Sequence, residues 1–270
     1  MRKGLALLSH SYRRIRVLVF GAGALLAGFQ ILLCLAAKAA QELNAFGQLS
    51  ALIPEFLRQL MGPALISLMS FSGIVCLGYF HFAVIGTVVG MGIAVTTEVS
   101  AEIESRFVDL ILSRPLARHW LITRSVILFV AAAIFLLLAM VLGTSIGLYL
   151  FAPPDVIRPT LRLIRSLVLN LGALIFCWGG LTLAITSLTR RRSVAGALSG
   201  LLALATYLFD YIAQVWTPAS KVAPLFPFHY YNALKLISAA DLPWREIRIL
   251  LCFGLVGTVL AYSFFSRRDL

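Results

Sequence analysis

Six apolar runs, each about twenty residues long, constrain this chain more than any other feature. They lie at about 17–37, 74–97, 125–150, 166–188, 193–216 and 247–265. At ~1.5 Å rise per residue, twenty helical residues cross a ~30 Å hydrocarbon core. The runs are continuous and do not alternate at period two, so they read as helices and not as barrel strands. Within lipid every backbone polar group needs an internal partner, and helices supply it segment by segment. Composition agrees: 60% of the 270 residues are hydrophobic, 13% are charged, and the mean hydropathy is +0.95. That apolar surface exceeds what a soluble core hides. The expected fold is an all-α membrane protein with six transmembrane helices, forming one transmembrane domain over 17–270.

The segment before the first run, 1–16, carries Leu5, Leu8, Tyr12 and Ile15 at helical spacing, with Arg13, Arg14 and Arg16 near the membrane. It reads either as an amphipathic helix lying on the interface or as a basic anchor. The first run is too long, and its basic leader too extended, for a secretory signal, so an uncleaved anchor is expected. Residues 38–72 mix Pro54, Glu55 and Arg58 with apolar positions, and they suggest an interfacial or re-entrant helix. Six spans place both termini on one side. The termini and the connections on their side carry 14 Lys and Arg, and the other connections carry 9. Basic residues concentrate on the cytoplasmic side, so both termini are expected in the cytoplasm.

The formal net charge of +12 raises the question of nucleic acid. The basic residues sit at the ends of apolar runs, where headgroups want them, and no basic stripe or finger spacing accompanies them. No nucleic-acid partner is expected. The four cysteines, Cys34, Cys76, Cys177 and Cys252, each lie alone inside an apolar run and read as packing residues. A phosphate-cradling GxxxxGK[ST] loop is absent, as is any HExxH pair. The chain is therefore expected to be no enzyme and to bind no cofactor or metal itself.

The stretch 97–124, TEVSAEIESRFVDLILSRPLARHWLITR, is the most informative. It holds four of the eleven acidic residues, Glu98, Glu102, Glu104 and Asp109, together with Arg106, Arg114 and Arg118. Phe107, Leu110 and Ile111 form an apolar stripe, and Pro115 ends the pattern. A short amphipathic helix between two spans, with an apolar knob and a charged rim, suits a groove on a partner. An ordinary solvated loop with a helical turn is the alternative.

This stretch resembles the segment between the second and third spans of ABC type-2 permeases. Glu98 or Glu102, Leu110, Leu112, Ser113-Arg114-Pro115 and Arg118 fill that family's acidic residue, leucine pair and Pro-x-x-Arg turn. Ser105-Arg106 replaces the family's usual Gly-Thr. Pro227-Phe228-His229-Tyr230-Tyr231-Asn232 resembles the outer-loop motif before the last span, and Phe265 to Leu270 resembles the family's C-terminal end. The resemblance implies a plasma-membrane subunit (bacterial inner membrane in a bacterium) of an exporter, paired with a second permease copy, identical or different. It further implies a separate ABC ATPase subunit carrying ATP and Mg. The helix around 106–112 would couple to that ATPase, through Glu98, Glu102, Glu104, Phe107, Asp109, Leu110, Arg114, Pro115 and Arg118.

Asp210 is the only acidic residue well inside a span. An ionisable group there is costly and usually functional. Tyr207, Asp210, Tyr211 and Gln214 share one helical face and are candidates to line a translocation path. Asp210 could instead reach the outer interface or bond Tyr207 within its own helix. Gly86/Gly90, Gly143/Gly147 and Gly196/Gly200 are GxxxG pairs, for which packing within the chain is the safer expectation. Two other functions stay open. One is a membrane-embedded enzyme acting on lipid-linked substrates, with His229, Lys235, Asp241 and Arg245 as its only candidates; the other is a non-catalytic scaffold.

Overall fold

The computed structural model describes residues 2–43, 68–105, 119–239 and 242–267. Every element within them is helical. In chain order they are α1 (Arg2–Glu42), α2 (Phe71–Leu77), α3 (Phe82–Thr96), α4 (Glu98–Glu104), α5 (His119–Phe151), α6 (Leu161–Leu188) and α7 (Arg192–Ala213). A compact segment follows, made of α8 (Thr217–Ser220), two 3₁₀ turns (Ala223–Leu225 and Pro227–Tyr230) and α9 (Ala233–Ala239), before α10 (Trp244–Ser266). Six helical stretches are long and apolar enough to cross a membrane: Ser11–Glu42, Phe71–Glu104, His119–Phe151, Leu161–Leu188, Arg192–Ala213 and Trp244–Ser266. They coincide with the six runs read from sequence, with ends shifted by several residues. The expected interfacial segment 38–72 falls mostly outside the described residues.

Two departures stand out. First, no break separates residues 1–16 from the first span. α1 is a single helix of 41 residues, about 60 Å long and twice the depth of a hydrocarbon core. Nothing between Arg13 and Val17 stops a helix, because neither Gly nor Pro occurs there. Second, the second span is interrupted. α2 ends at Gly78, and α3 starts after His81, whose Nδ1 accepts the Ala83 N–H at 3.3 Å.

α6 is the hub, with most of its length buried. It packs against α3, α5, α7, α9 and α10. Trp178, Leu171 and Leu174 on it are wholly enclosed. Its tightest neighbour is α10. A Cβ added to Gly257 would stand 2.5 Å from the Gly180 carbonyl carbon, so these backbones touch. α1 and α5 make the other close pair. There a Cβ on Gly143 would meet the Ala27 carbonyl oxygen at 2.5 Å, and Gly147 lies against Cys34 and Ile31. Small residues allow this approach, and dispersion between the backbones holds it. Gly143/Gly147 is therefore an internal packing pair. Gly86, Gly90, Gly196 and Gly200 have no described residue within 4 Å of such a Cβ, so the two remaining GxxxG pairs pack against no other helix among the described residues.

The helices define two poles. Arg14, α4, the start of α5, the α6–α7 turn and the end of α10 lie at one. It carries Arg190, Arg191 and Arg192, and is called the basic pole below. The end of α1, the start of α6 and the segment 217–239 lie at the other.

Candidate functional site

At the basic pole the acidic residues before the proposed coupling helix are held by internal partners. Glu98 accepts from Arg192 at 2.6 Å and faces Arg14 at 3.5 Å. Glu102 meets Arg124 at 2.5 Å, and both are almost wholly buried. The backbone N–H of Arg192 donates to the Glu104 carboxylate at 3.0 Å. Ser100 Oγ donates to the Thr186 carbonyl at 3.2 Å. One short helix, α4, thus ties together the first span, the third span and the α6–α7 turn. Beneath the charges, Val99, Leu121, Ile122, Leu183, Ala261 and Phe265 form a separate apolar cluster. Taking Glu102 and Arg124 out of water is expensive, and their mutual contact offsets it. Arg124 Nε and Nη1 have no hydrogen-bond partner among the described residues. Phe107, Asp109, Leu110, Arg114, Pro115 and Arg118 lie outside the described residues.

At the opposite pole a pocket of about 460 Å³ opens between the end of α7 and the segment 220–235. Tyr207, Asp210 and Gln214 line it from α7. Tyr211 does not, and it is largely exposed. Helical geometry explains the split: at about 100° per residue, Tyr211 lies roughly 70° from the mean direction of the other three. The pocket's far wall is His229, Tyr231, Asn232, Lys235 and Ser220. Asp210 Oδ1 approaches His229 Nδ1 at 3.6 Å. The partner of the intramembrane carboxylate is thus an imidazole from the following segment, not Tyr207 on its own helix. The Tyr207 ring packs edge-on against Phe228 at 5.3 Å.

Two features hold that segment in place. Phe228 packs on Trp178 of α6, with ring centroids 5.5 Å apart. Tyr231 donates its hydroxyl to the Tyr79 carbonyl at 2.7 Å, reaching the break in the second span. Desolvation around the Tyr231 hydroxyl raises its pKa above the ordinary phenol value. Tyr79 in turn shares a hydrogen bond with Thr144 of α5 at 2.8 Å. Non-helical backbone at membrane depth persists only where side chains satisfy it, and this relay does so. Gln30 of α1 lies against Gly78 at the same break, fully buried.

A second cavity, an apolar groove of about 340 Å³, runs between α3 and α7. Gly86, Gly90 and Gly200 form part of its walls, with Val89, Ile93 and Leu204. Asp241 lies outside the described residues, and Arg245 lines neither cavity. Among the described residues no three His, Cys, Asp or Glu side chains gather as metal ligands would.

The sequence singled out α7's half of the polar pocket. It placed His229, Asn232 and Lys235 in the loop without pairing them to Asp210, and it missed Phe80 and Ser220. No local signal links those residues to α7; only the folded segment 217–239 brings them there. In comparisons with protein-family models, curated proteins and solved structures, the chain has no match.

Proposed function

We propose that the chain is the membrane-spanning permease subunit of an ATP-driven ABC exporter. In this reading the basic pole faces the cytoplasm, both termini lie there, and the host membrane is the plasma membrane. A second permease copy completes the pathway, and a separate ATPase subunit carries ATP and Mg.

One observation supports this reading most. α4 leads directly into residues 106–112, the expected coupling helix, and α4 is fastened to the first, third, fourth and fifth spans by ion pairs and hydrogen bonds. A docking helix needs a stiff mechanical root if a partner's motion is to reach the spans. Buried, paired charges give that root a defined geometry. At the other pole, the Asp210–His229 pocket is the polar opening expected of a pathway.

An enzyme acting on lipid-linked substrates draws on the same pocket, where Asp210 and His229 pair beside Ser220. Ser220 Oγ, however, donates to the Thr217 carbonyl at 2.8 Å, so its proton is directed away from His229. The permease reading is the better supported.

The test is affinity purification from mild detergent with the native chain and with Phe107→Ala plus Leu110→Ala. The expected result is a P-loop ATPase recovered in stoichiometric amount with the native chain and lost with the double variant. Equal recovery with both would remove the coupling assignment. Recovery with neither, from a monodisperse membrane protein, would remove the permease reading.

A further inference from the structure

Of the nine Lys and Arg that the sequence assigns to the non-cytoplasmic connections, four form two pairs. Arg162 and Arg165 stand one turn apart at the start of α6, and Arg245 and Arg248 stand one turn apart at the start of α10. The charge bias of membrane insertion disfavours arginine on this side. Each pair nevertheless heads an apolar groove. The first, about 490 Å³, lies between α6 and α5, with Leu161, Ile164, Val168 and Val141 as its walls. The second, about 540 Å³, follows one face of α10 over Ile249, Cys252, Phe253 and Val256.

The two grooves share one construction: paired guanidinium groups above, apolar walls below, and no carboxylate among the described lining residues. All four arginines are exposed. None makes an ion pair among the described residues, and Glu246, next to Arg245 in the chain, pairs with neither arginine of α10. Arg248 Nε donates to the Trp244 carbonyl at 3.2 Å, which engages one of its several N–H groups. Trp244 is largely exposed beside this pair, and an exposed Trp at a span end marks the headgroup layer. From Arg245 to Val256 is eleven residues, about 16 Å of helix. That is half of a ~30 Å hydrocarbon core, the depth of one leaflet.

These features select the occupant. The walls lie on the spans, at hydrocarbon depth, where a soluble partner does not reach. Guanidinium forks match phosphate oxygens in a bidentate way. An ammonium headgroup would meet two cations and no carboxylate, so a net-negative phosphodiester fits better than a zwitterionic one. A symmetric contact with a second copy through either face would bring the same arginine pairs together at one depth. We propose that each groove binds one anionic phospholipid, its phosphodiester at the arginine pair and an acyl chain along the apolar wall. Such binding needs only a bilayer around the six helices and stands whether or not the chain transports anything.

The test is native mass spectrometry of the full-length chain in maltoside micelles doped with equal phosphatidylglycerol and phosphatidylethanolamine. The native chain should retain phosphatidylglycerol in preference. An arginine near a membrane surface strengthens binding of an anionic lipid about fivefold, so losing one pair should weaken its site about 25-fold. Arg162→Gln plus Arg165→Gln, and separately Arg245→Gln plus Arg248→Gln, should each remove one retained phosphatidylglycerol per chain, and the fourfold variant both. Exposed side chains without ion-pair partners can be replaced with the fold intact, which an unchanged melting temperature checks. Inorganic phosphate at millimolar concentration should displace neither lipid; displacement would mean that the acyl chain plays no part and would overturn the proposal. Equal retention of both lipids by the native chain and the variants would reduce the arginines to snorkelling anchors in annular lipid, and would overturn it too. So would a preference that survives in the fourfold variant and disappears with Arg190→Gln plus Arg191→Gln, since the anionic lipid would then sit at the basic pole.

Discussion

Arg124 is 2% exposed and has, among the described residues, a single carboxylate partner, Glu102, itself 3% exposed. Removing one member of such a pair leaves a buried charge without compensation and costs about 3–5 kcal/mol. Glu102→Gln should therefore lower the melting temperature in detergent markedly. The double change Glu102→Leu with Arg124→Met should melt close to the native protein, because it removes both desolvation penalties together. A double variant as unstable as the single one would show that the pair contributes more than mutual neutralisation. The acidic residues of this region were visible in sequence as a charged cluster. Their partners were not: Glu104 meets a backbone N–H 88 residues away, and no pattern along the chain encodes such a pairing. The glycines carry the same lesson. Three GxxxG pairs read alike in sequence, yet among the described residues only Gly143/Gly147 meets another helix. The closest helix contact, Gly180 with Gly254 and Gly257, has a different spacing.

The second span shows what sequence hides at the level of an element. Its hydropathy is continuous, and a single helix over 74–97 was the natural reading. The helix breaks at Gly78–His81 because side chains from three other elements satisfy or fill the gap: Gln30, Thr144 and Tyr231. Such a break depends on tertiary partners, which a hydropathy pattern does not record. Tyr231→Phe leaves the Tyr79 carbonyl without its donor, at a cost of about 1–3 kcal/mol. Thermal melting should show that loss, and an unchanged melting temperature would mean the relay does not hold the break. Helix pairs give a sharper contrast. Gly143→Leu drives a side chain into the Ala27 backbone, which has nowhere to move, and should destabilise by at least the roughly 1–3 kcal/mol of overpacking. Gly90→Leu meets nothing within 4 Å and should melt as the native chain does. Equal losses would contradict the distinction between packed and open glycines. The six spans themselves were legible, because lipid permits few alternatives to a long apolar helix. Their ends were not, since helices here extend past the hydrocarbon by a turn or more at no cost in backbone hydrogen bonds.

For the whole molecule, the two poles divide the labour. The opposite pole holds the polar pocket beside Asp210, and an apolar groove lies between α3 and α7. The basic pole fastens α4 to the first and third spans and to the turn before the fifth. The central helix α6 touches both, through Thr186 at one end and Trp178 toward the other. α4 is therefore connected to α6 and its neighbours through packed elements. Sequence supplied the expectation of docking at 106–112, which lies outside the described residues; the fold fixes α4, the helix that precedes it. The most direct test places a photo-crosslinking amino acid at position 107 and, in a second variant, at position 214. Both are illuminated in intact membranes, and any adduct is identified by mass spectrometry. The account predicts a covalent adduct between position 107 and a P-loop ATPase, and none from position 214. No ATPase adduct from 107 in well-expressed protein, or an adduct from 214 instead, would contradict it.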